Sequence, residues 1–314
     1  MLEREKDIME LSQKIEDLRR FAEEKQADFA AEIQILEEKL AKMKKEAAEN
    51  LSPMDKLTLS RMIERPTALD YIETVFSGFI ELHGDRKSRD DPSIIGGLAR
   101  LGDRPVTVIG QQKGRNLKEN VKRNFGMPSP EGFRKALRLM KQAEKFKRPV
   151  ICFIDTPGAD PGVGAEERGQ GEAIATNLME MAALRTPIIA IVIGEGGSGG
   201  ALALSVADQI WMLEHSVYSV LSPEGFASIL WKDATRAKEA AGLMKITAQD
   251  LKELGIIDKI LPEPPGGAHK DLKEMAKVIK ENLLQVPFQS LSANIKEVVE
   301  QRYAKYRRIG AYLE

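Results

Sequence analysis

PIIAIVIGEGGSGGALALSVAD, residues 187–208, runs an apolar strand straight into a glycine cluster and out into a helix of small side chains. Pro187–Ile193 is β-branched almost throughout, the composition of a strand buried on both faces of a sheet. Gly194, Gly196, Gly197, Gly199 and Gly200 then allow a sharp turn and bring bare backbone amides against a ligand. Hardly any reactive side chain lies between strand and helix. Chemistry at this point must come from N–H groups at a helix N-terminus, where unpaired donors and the dipole favour negative charge. The turn reads as an oxyanion or phosphate cradle.

The same design occurs upstream. PVICFID (149–155) is a second buried strand, and it opens into TPGADPGVGAEERGQGEAIATNLMEMAAL, where Gly158, Gly162 and Gly164 precede a helix with Ile174, Leu178, Met181 and Leu184 at helical spacing. Two consecutive strand, glycine-turn, helix units predict a layered α/β domain with both turns at one edge of the sheet.

The whole chain sets limits on function. Its 314 residues, 42% of them hydrophobic, suffice for one large core with appendages. With 47 basic against 48 acidic residues, no global field recruits nucleic acid or membrane. The absence of a secretory-type apolar stretch and of any apolar run near membrane-spanning length predicts a cytoplasmic protein. The one cysteine, Cys152, sits inside an apolar strand and reads as a core thiol. Three histidines, His83, His215 and His269, show no paired spacing, so a metal site in this chain is not expected.

Residues 1–52 lack Gly and Pro, and their apolar residues step by threes and fours among dense Glu and Lys. This predicts a long amphipathic helix, folded into a hairpin near Gln26–Asp28 and broken at Ser52-Pro53. Two readings stay open for it, a solvated helix on its own domain and a surface for another chain. A second helix is predicted over 68–82, ending at His83-Gly84-Asp85. IIGGLARL and VTVIGQQ predict a hairpin around Gly102–Pro105, IWMLEHSVYSV (210–220) a single strand, and PEGFASILWKD a short helix. Helices are expected over about 270–285 and 292–312.

Three short motifs compete at the glycine turn. Gly194–Gly199 fits G-x-G-x-x-G with Glu214 twenty residues on, a dinucleotide pattern that any glycine cluster produces trivially. Gly196–Gly200 fits G-x-S-x-G, making Ser198 a formal nucleophile with His215 or His269 as base. No Walker-type phosphate loop occurs. The basic run Lys113, Arg115, Lys118, Lys122, Arg123 reads either as a solvated face or as a clamp for polyphosphate or carboxylate. Asp155, Glu166 and Glu167 could serve as acid or base, yet carboxylates near a helix N-terminus are commonly dipole partners.

QKGRNLKENVKRNFGMPSPEGFRKALRLM, IDTPGADPGVGAEERGQGEAIA, VIGEGGSGGALAL and YSVLSPEGFASILWKDA closely resemble the alpha-subunit family of bacterial acetyl-CoA carboxylase carboxyltransferases, and the resemblance spans essentially the whole chain. One departure stands out: Asp160 occupies a place where the family usually has Tyr, so ligand contacts differ there if that ring packs on the biotin site. The resemblance implies an α/β fold with a crotonase-like ββα spiral core and oxyanion-holding glycine turns. It implies an N-terminal helical region over 1–85 that contacts a partner, a carboxyltransferase core over 86–265 and C-terminal helices over 266–314.

The implied partners are a zinc-ribbon beta subunit in an α2β2 assembly, a biotin carboxyl carrier protein and biotin carboxylase, with neither membrane nor nucleic acid involved. The implied reaction carries a carboxyl group from carboxybiotin to acetyl-CoA, giving malonyl-CoA for fatty acid biosynthesis. On this reading Gly196, Gly197, Gly199 and Gly200 are candidates for the backbone oxyanion hole, Gly158, Gly162 and Gly164 shape the opposite wall, and Lys122 and Arg123 meet anionic groups. The competing expectations are a crotonase-type serine hydrolase using Ser198 and a non-catalytic scaffold.

Overall fold

In a computed structural model covering residues 3–25, 29–49 and 51–310, the chain opens with helices α1 (Glu3–Lys25) and α2 (Ala30–Glu49) packed on each other as a hairpin. The rings of Phe21 and Phe29 meet at 5.9 Å near its closed end, and the expected bend at Gln26–Asp28 lies outside the described residues. Ser52-Pro53 does more than stop this hairpin. The Ser52 hydroxyl accepts the Asp55 N–H at 3.2 Å while the Asp55 carboxylate accepts the Ser52 N–H at 2.9 Å, a capping box that starts α3 (Pro53–Ser60).

The helix expected over 68–82 is shorter. α4 (Ala68–Val75) gives way at Phe76 to strand β1 (Ser77–Glu81), which pairs antiparallel with β2 (Ile94–Leu101). Phe79 and Ile80 suit a pleated edge better than another helical turn, and Gly78 takes a φ of +61° that helix excludes. β2 and β3 (Arg104–Gln111) form the expected hairpin.

After α5 (Leu117–Lys122) and a 3-10 turn come α6 (Pro130–Lys145), β4 (Val150–Thr156), α7 (Val163–Glu167), α8 (Gln170–Ala183), β5 (Ile188–Gly197) and α9 (Ser198–Leu202). The single strand expected over 210–220 is two, β6 (Gln209–Leu213) and β7 (Val217–Ser219), because the Ser216 N–H turns back to the Leu213 carbonyl at 3.0 Å. The chain closes with α10 (Pro223–Trp231), α11 (Ala237–Leu243), α12 (Ala248–Glu253), β8 (Lys259–Leu261), α13 (Leu272–Gln285), α14 (Phe288–Ala293) and α15 (Ile295–Arg308). The last helix expected from 292 is thus interrupted at Asn294, whose ψ of 36° is not helical.

The strands form one sheet in the order β1-β2-β3-β4-β5-β6-β8, parallel from β3 onward, with β7 pairing the far end of β5. Side chains alternate across it. Ile151, Phe153, Ile189 and Ile191 face Tyr71, Ile72 and Ile279, whereas Cys152, Ile154, Ala190 and Val192 face Leu139, Met140 and Met181. Burial on both faces explains the near-continuous apolar runs. It also pushes the Cys152 thiol up to about 12, so it stays protonated and inert at neutral pH.

An ion-pair belt ties the loop after β1 to α6. Arg134 Nε donates to Asp85 at 2.9 Å and Lys135 Nζ to Asp90 at 2.7 Å. Burial pushes the Asp85 carboxyl up, but the Lys87 and Ser88 amides and Arg134 outweigh it and hold it at about 2. Asp90 is likewise held at about 2, where Lys135 and the Gly84 amide outweigh burial. Folded values below the unfolded value of about 4 mean that this stabilisation is full above about pH 4 and lost as pH falls towards 2. The thermal midpoint should drop across that window, and Asp85→Asn should flatten the slope; an unchanged slope would remove Asp85 from the account.

Candidate active site

The two glycine turns lie side by side because β4 and β5 are parallel neighbours that end together. Their pairing runs from Val150↔Ile188 to Ile154↔Val192, then slips so that Thr156 meets Gly196. In the first turn the Thr156 hydroxyl donates to the Gly158 carbonyl at 2.7 Å and accepts the Gly158 N–H at 3.1 Å. The second turn presses against it. A Cβ on Gly197 would sit 2.1 Å from the Pro157 carbonyl oxygen, and one on Gly200 would sit 2.6 Å from the Ala159 nitrogen, so both approaches require glycine. Gly196 is fixed from the other side, pairing with Tyr218 of β7.

Ser198 begins α9 with a φ of +55°, a left-handed conformation costly for a residue with a Cβ. The amides of Gly199 and Gly200 lie in the first turn of this helix, where no preceding turn supplies acceptors. Ser198 and Gly199 also line an apolar cavity of about 620 Å³ with Leu202, Tyr218, Val220, Leu221, Phe226 and Tyr306 among its walls. Among the described residues no histidine or carboxylate lines it.

The candidate base for Ser198 is missing as well. His215 gives its backbone N–H to Glu263, His269 has neither ring nitrogen partnered, and no hydrogen bond joins either to Ser198. Burial lowers the pKa of both imidazoles. Among the described residues no cluster of His, Cys, Asp and Glu could hold a metal, and no helix is long and apolar enough to cross a membrane.

The other sequence candidates are distributed unevenly. Gly158 lies at the contact between the turns, whereas Gly162 gives its N–H to Asp160 at 2.9 Å and Gly164 neighbours Arg168. No atom of the 194–200 turn comes within 4 Å of a Cβ placed on Gly162 or Gly164. Lys122 is exposed at the end of α5, and the Arg123 guanidinium donates to the Pro92 carbonyl at 2.6 Å. Glu166 and Glu167 are exposed on α7.

A polar network beneath the turn went unread in the sequence. Lys113 Nζ lies 2.9 Å from Asp155 and 2.8 Å from Glu195, and Arg61 joins Glu195 to Glu224 at 2.9 and 2.8 Å. Burial opposes the charge on Lys113, but its two carboxylates raise its pKa above the usual value. Burial also opposes the Glu195 carboxylate, which Lys113 and Arg61 hold below the usual range. Asp155 goes the other way, raised by burial against the pull of Lys113. Its Oδ1 accepts the Glu195 N–H at 3.1 Å, so the carboxyl that could have been an acid or base is a brace.

The family model described as acetyl co-enzyme A carboxylase carboxyltransferase-like matches residues 1–310. The alpha subunit of acetyl-coenzyme A carboxylase carboxyl transferase from Clostridium acetobutylicum is 62% identical over 269 residues, 86% of this chain and 98% of that protein. Its Bacillus subtilis counterpart is 57% identical over 309 residues, 98% of this chain and 95% of that one. Among solved structures, transcarboxylase 12S aligns with a TM-score of 0.56 at 18% identity over 75% of this chain and 46% of its own. A Pseudomonas malonate decarboxylase hetero-dimer aligns with a TM-score of 0.53 at 19% identity over 75% of this chain and 98% of its own. These two carry the likeness in fold, a crotonase-like arrangement, while the identities to the curated relatives carry the family. The chain belongs to the family of acetyl-CoA carboxylase carboxyltransferase alpha subunits.

Proposed function

We propose that this chain, as the alpha subunit of an acetyl-CoA carboxylase carboxyltransferase, holds the carboxyl donor and stabilises the oxyanion formed when the carboxyl leaves. The observation that carries this reading is the contact between two glycine turns at the ends of β4 and β5, beside an apolar cavity whose described lining includes no histidine or carboxylate.

Carboxybiotin, when bound, supplies the carboxyl and, as its N–C bond breaks, a ureido nitrogen that takes the methyl proton of acetyl-CoA, so no side-chain base is needed. The residues of this chain do the rest. Amides at the head of α9, those of Gly199 and Gly200, aim at the oxygen where charge develops, a donor set worth most in a water-poor site. Apolar walls around Ser198 and Gly199 accept a ring-sized group and exclude water. Gly158 shapes the facing wall by contact with Gly200, Gly162 and Gly164 extend it, and Lys122 and Arg123 offer charge to the migrating carboxylate or to CoA phosphates.

The complete enzyme in this reading is an α2β2 assembly with a zinc-ribbon beta subunit, served in the cytoplasm by a biotin carboxyl carrier protein and biotin carboxylase. The N-terminal hairpin is its docking element, since among the described residues none of α1 or α2 belongs to the buried apolar clusters of the core. Co-expression with the beta subunit and an assay of carboxyl exchange between malonyl-CoA and biocytin tests the function. Activity is expected from the mixture alone, and deletion of residues 1–50 should weaken co-sedimentation. Ester hydrolysis by the isolated chain, with no exchange in the complex, would establish the Ser198 hydrolase instead.

A further inference from the structure

Gln111 ends β3 without solvent exposure, and its carboxamide is shared between the two turns. Nε2 donates to the Gly200 carbonyl at 2.7 Å, and Oε1 accepts the Asp155 N–H at 3.1 Å. The orientation is forced, since a flipped amide would set oxygen against the Gly200 carbonyl and N–H against the Asp155 N–H. Asp155 is next in chain to Thr156–Gly158, and Gly200 lies within α9, so one side chain spans both halves of the site. Asp155 continues the connection by accepting the Glu195 N–H, with a Cβ on Gly194 falling 2.3 Å from its Oδ1.

We propose that Gln111 is a positioning residue for carboxyl transfer, its carboxamide fixing the distance and rotation of α9 against β4 and thereby the aim of the amides at the head of α9. The inference rests on the oxyanion reading given above. A donor set acts on charge present only in the transition state, so misaiming it lowers kcat and leaves KM nearly unchanged. The Thr156 hydroxyl shapes its own turn internally, and Lys113 joins the carboxylates of Asp155 and Glu195; Gln111 is the one of the three whose side chain bonds to Gly200 within α9.

The test uses the assembled α–β complex and malonyl-CoA with biocytin. Gln111→Glu keeps shape and the acceptor for Asp155 but presents a carboxylate oxygen to the Gly200 carbonyl. We expect kcat to fall about ten- to a hundredfold near pH 8, with KM for malonyl-CoA within about twofold and sedimentation unchanged. The charged group next to the new carboxyl is Asp155 on β4, whose N–H it accepts and whose carboxylate shares the Lys113 cation with Glu195 on β5. Burial favours its neutral form, whose O–H can again donate to Gly200. The ratio of variant to wild-type kcat should therefore climb as pH falls, whereas Gln111→Met stays low throughout.

A packing defect would not titrate in this way. Full kcat in both variants, a ratio independent of pH, or failure of Gln111→Glu to assemble overturns the proposal, the last by making Gln111 a requirement of folding. Gly200→Ala in parallel separates the two claims. If it loses turnover while the Gln111 variants do not, the oxyanion turn stands and the brace falls; if it keeps full turnover in an intact complex, the oxyanion reading fails.

Discussion

Gly197→Ala and Gly200→Ala should each lower carboxyl transfer by about 10²- to 10³-fold in the assembled enzyme, while Ser198→Gly leaves it near the wild-type rate. The size follows from contact geometry. A single added methyl at Gly197 would lie 2.1 Å from Pro157 oxygen and one at Gly200 would lie 2.6 Å from Ala159 nitrogen, and in both cases the obstacle is backbone. The two turns must separate, carrying their amides off target. Gly199 differs, because a methyl there meets only the Ile174 side chain at 3.5 Å. Ser198→Gly removes the hydroxyl and also suits the φ of +55°, so a backbone role predicts no loss of transfer and a small gain in stability of about 1 kcal/mol. A nucleophile could not be deleted so cheaply. Circular dichroism and co-sedimentation must show intact variants. Loss of transfer in Ser198→Gly with both alanine variants active would move the chemistry to the hydroxyl.

The two strand, turn, helix units were legible in the sequence because their signals are local: β-branched runs at 149–155 and 187–193, each followed at once by glycines. β7 was not. Only three residues, Glu214–Ser216, separate it from β6, and the tight turn there sends β7 to pair with Glu195–Gly197, twenty-odd residues upstream, which no local pattern announces. β1 was misjudged because its five residues follow a helix without a break, and Gly78, Phe79 and Ile80 mark a strand only once β2 is there to pair with them. The brace beneath the turn draws Gln111, Lys113, Asp155, Glu195 and Arg61 from four separate segments, and nothing in any one of them says that they meet. Lys113 even looked like one member of a surface basic run. Glycines are visible in sequence because their chemistry is backbone; the groups that hold them are visible only when the sheet brings its strand ends together.

Arg302 shows the same limit at its strongest and carries the largest expected effect on stability. It reads as one more cation in the charged helix IKEVVEQRYAKYRR, yet its side chain is 0% exposed. Nε and Nη2 clasp Asp208 at 2.7 and 3.0 Å, Nη1 donates to the carbonyls of Met181 and Leu184 at 2.6 and 2.8 Å, and Nη2 also reaches Thr186 at 2.9 Å. These acceptors end α8, lead into β5 and begin the approach to β6, so one guanidinium fastens α15 over the glycine-turn unit. Removing it strands a carboxylate and three carbonyls in the interior. Arg302→Leu should therefore cost about 3–5 kcal/mol, and Arg302→Lys much of the same because an ammonium cannot form the planar fork. Asp208 would still accept the Ile188 N–H at 2.7 Å, which keeps part of the local order and argues for weakening rather than complete unfolding. Urea unfolding of the isolated chain measures it. A loss below about 1 kcal/mol would mean that water replaces the guanidinium at little cost and that α15 is held by its apolar contacts, Val298 and Tyr306, instead.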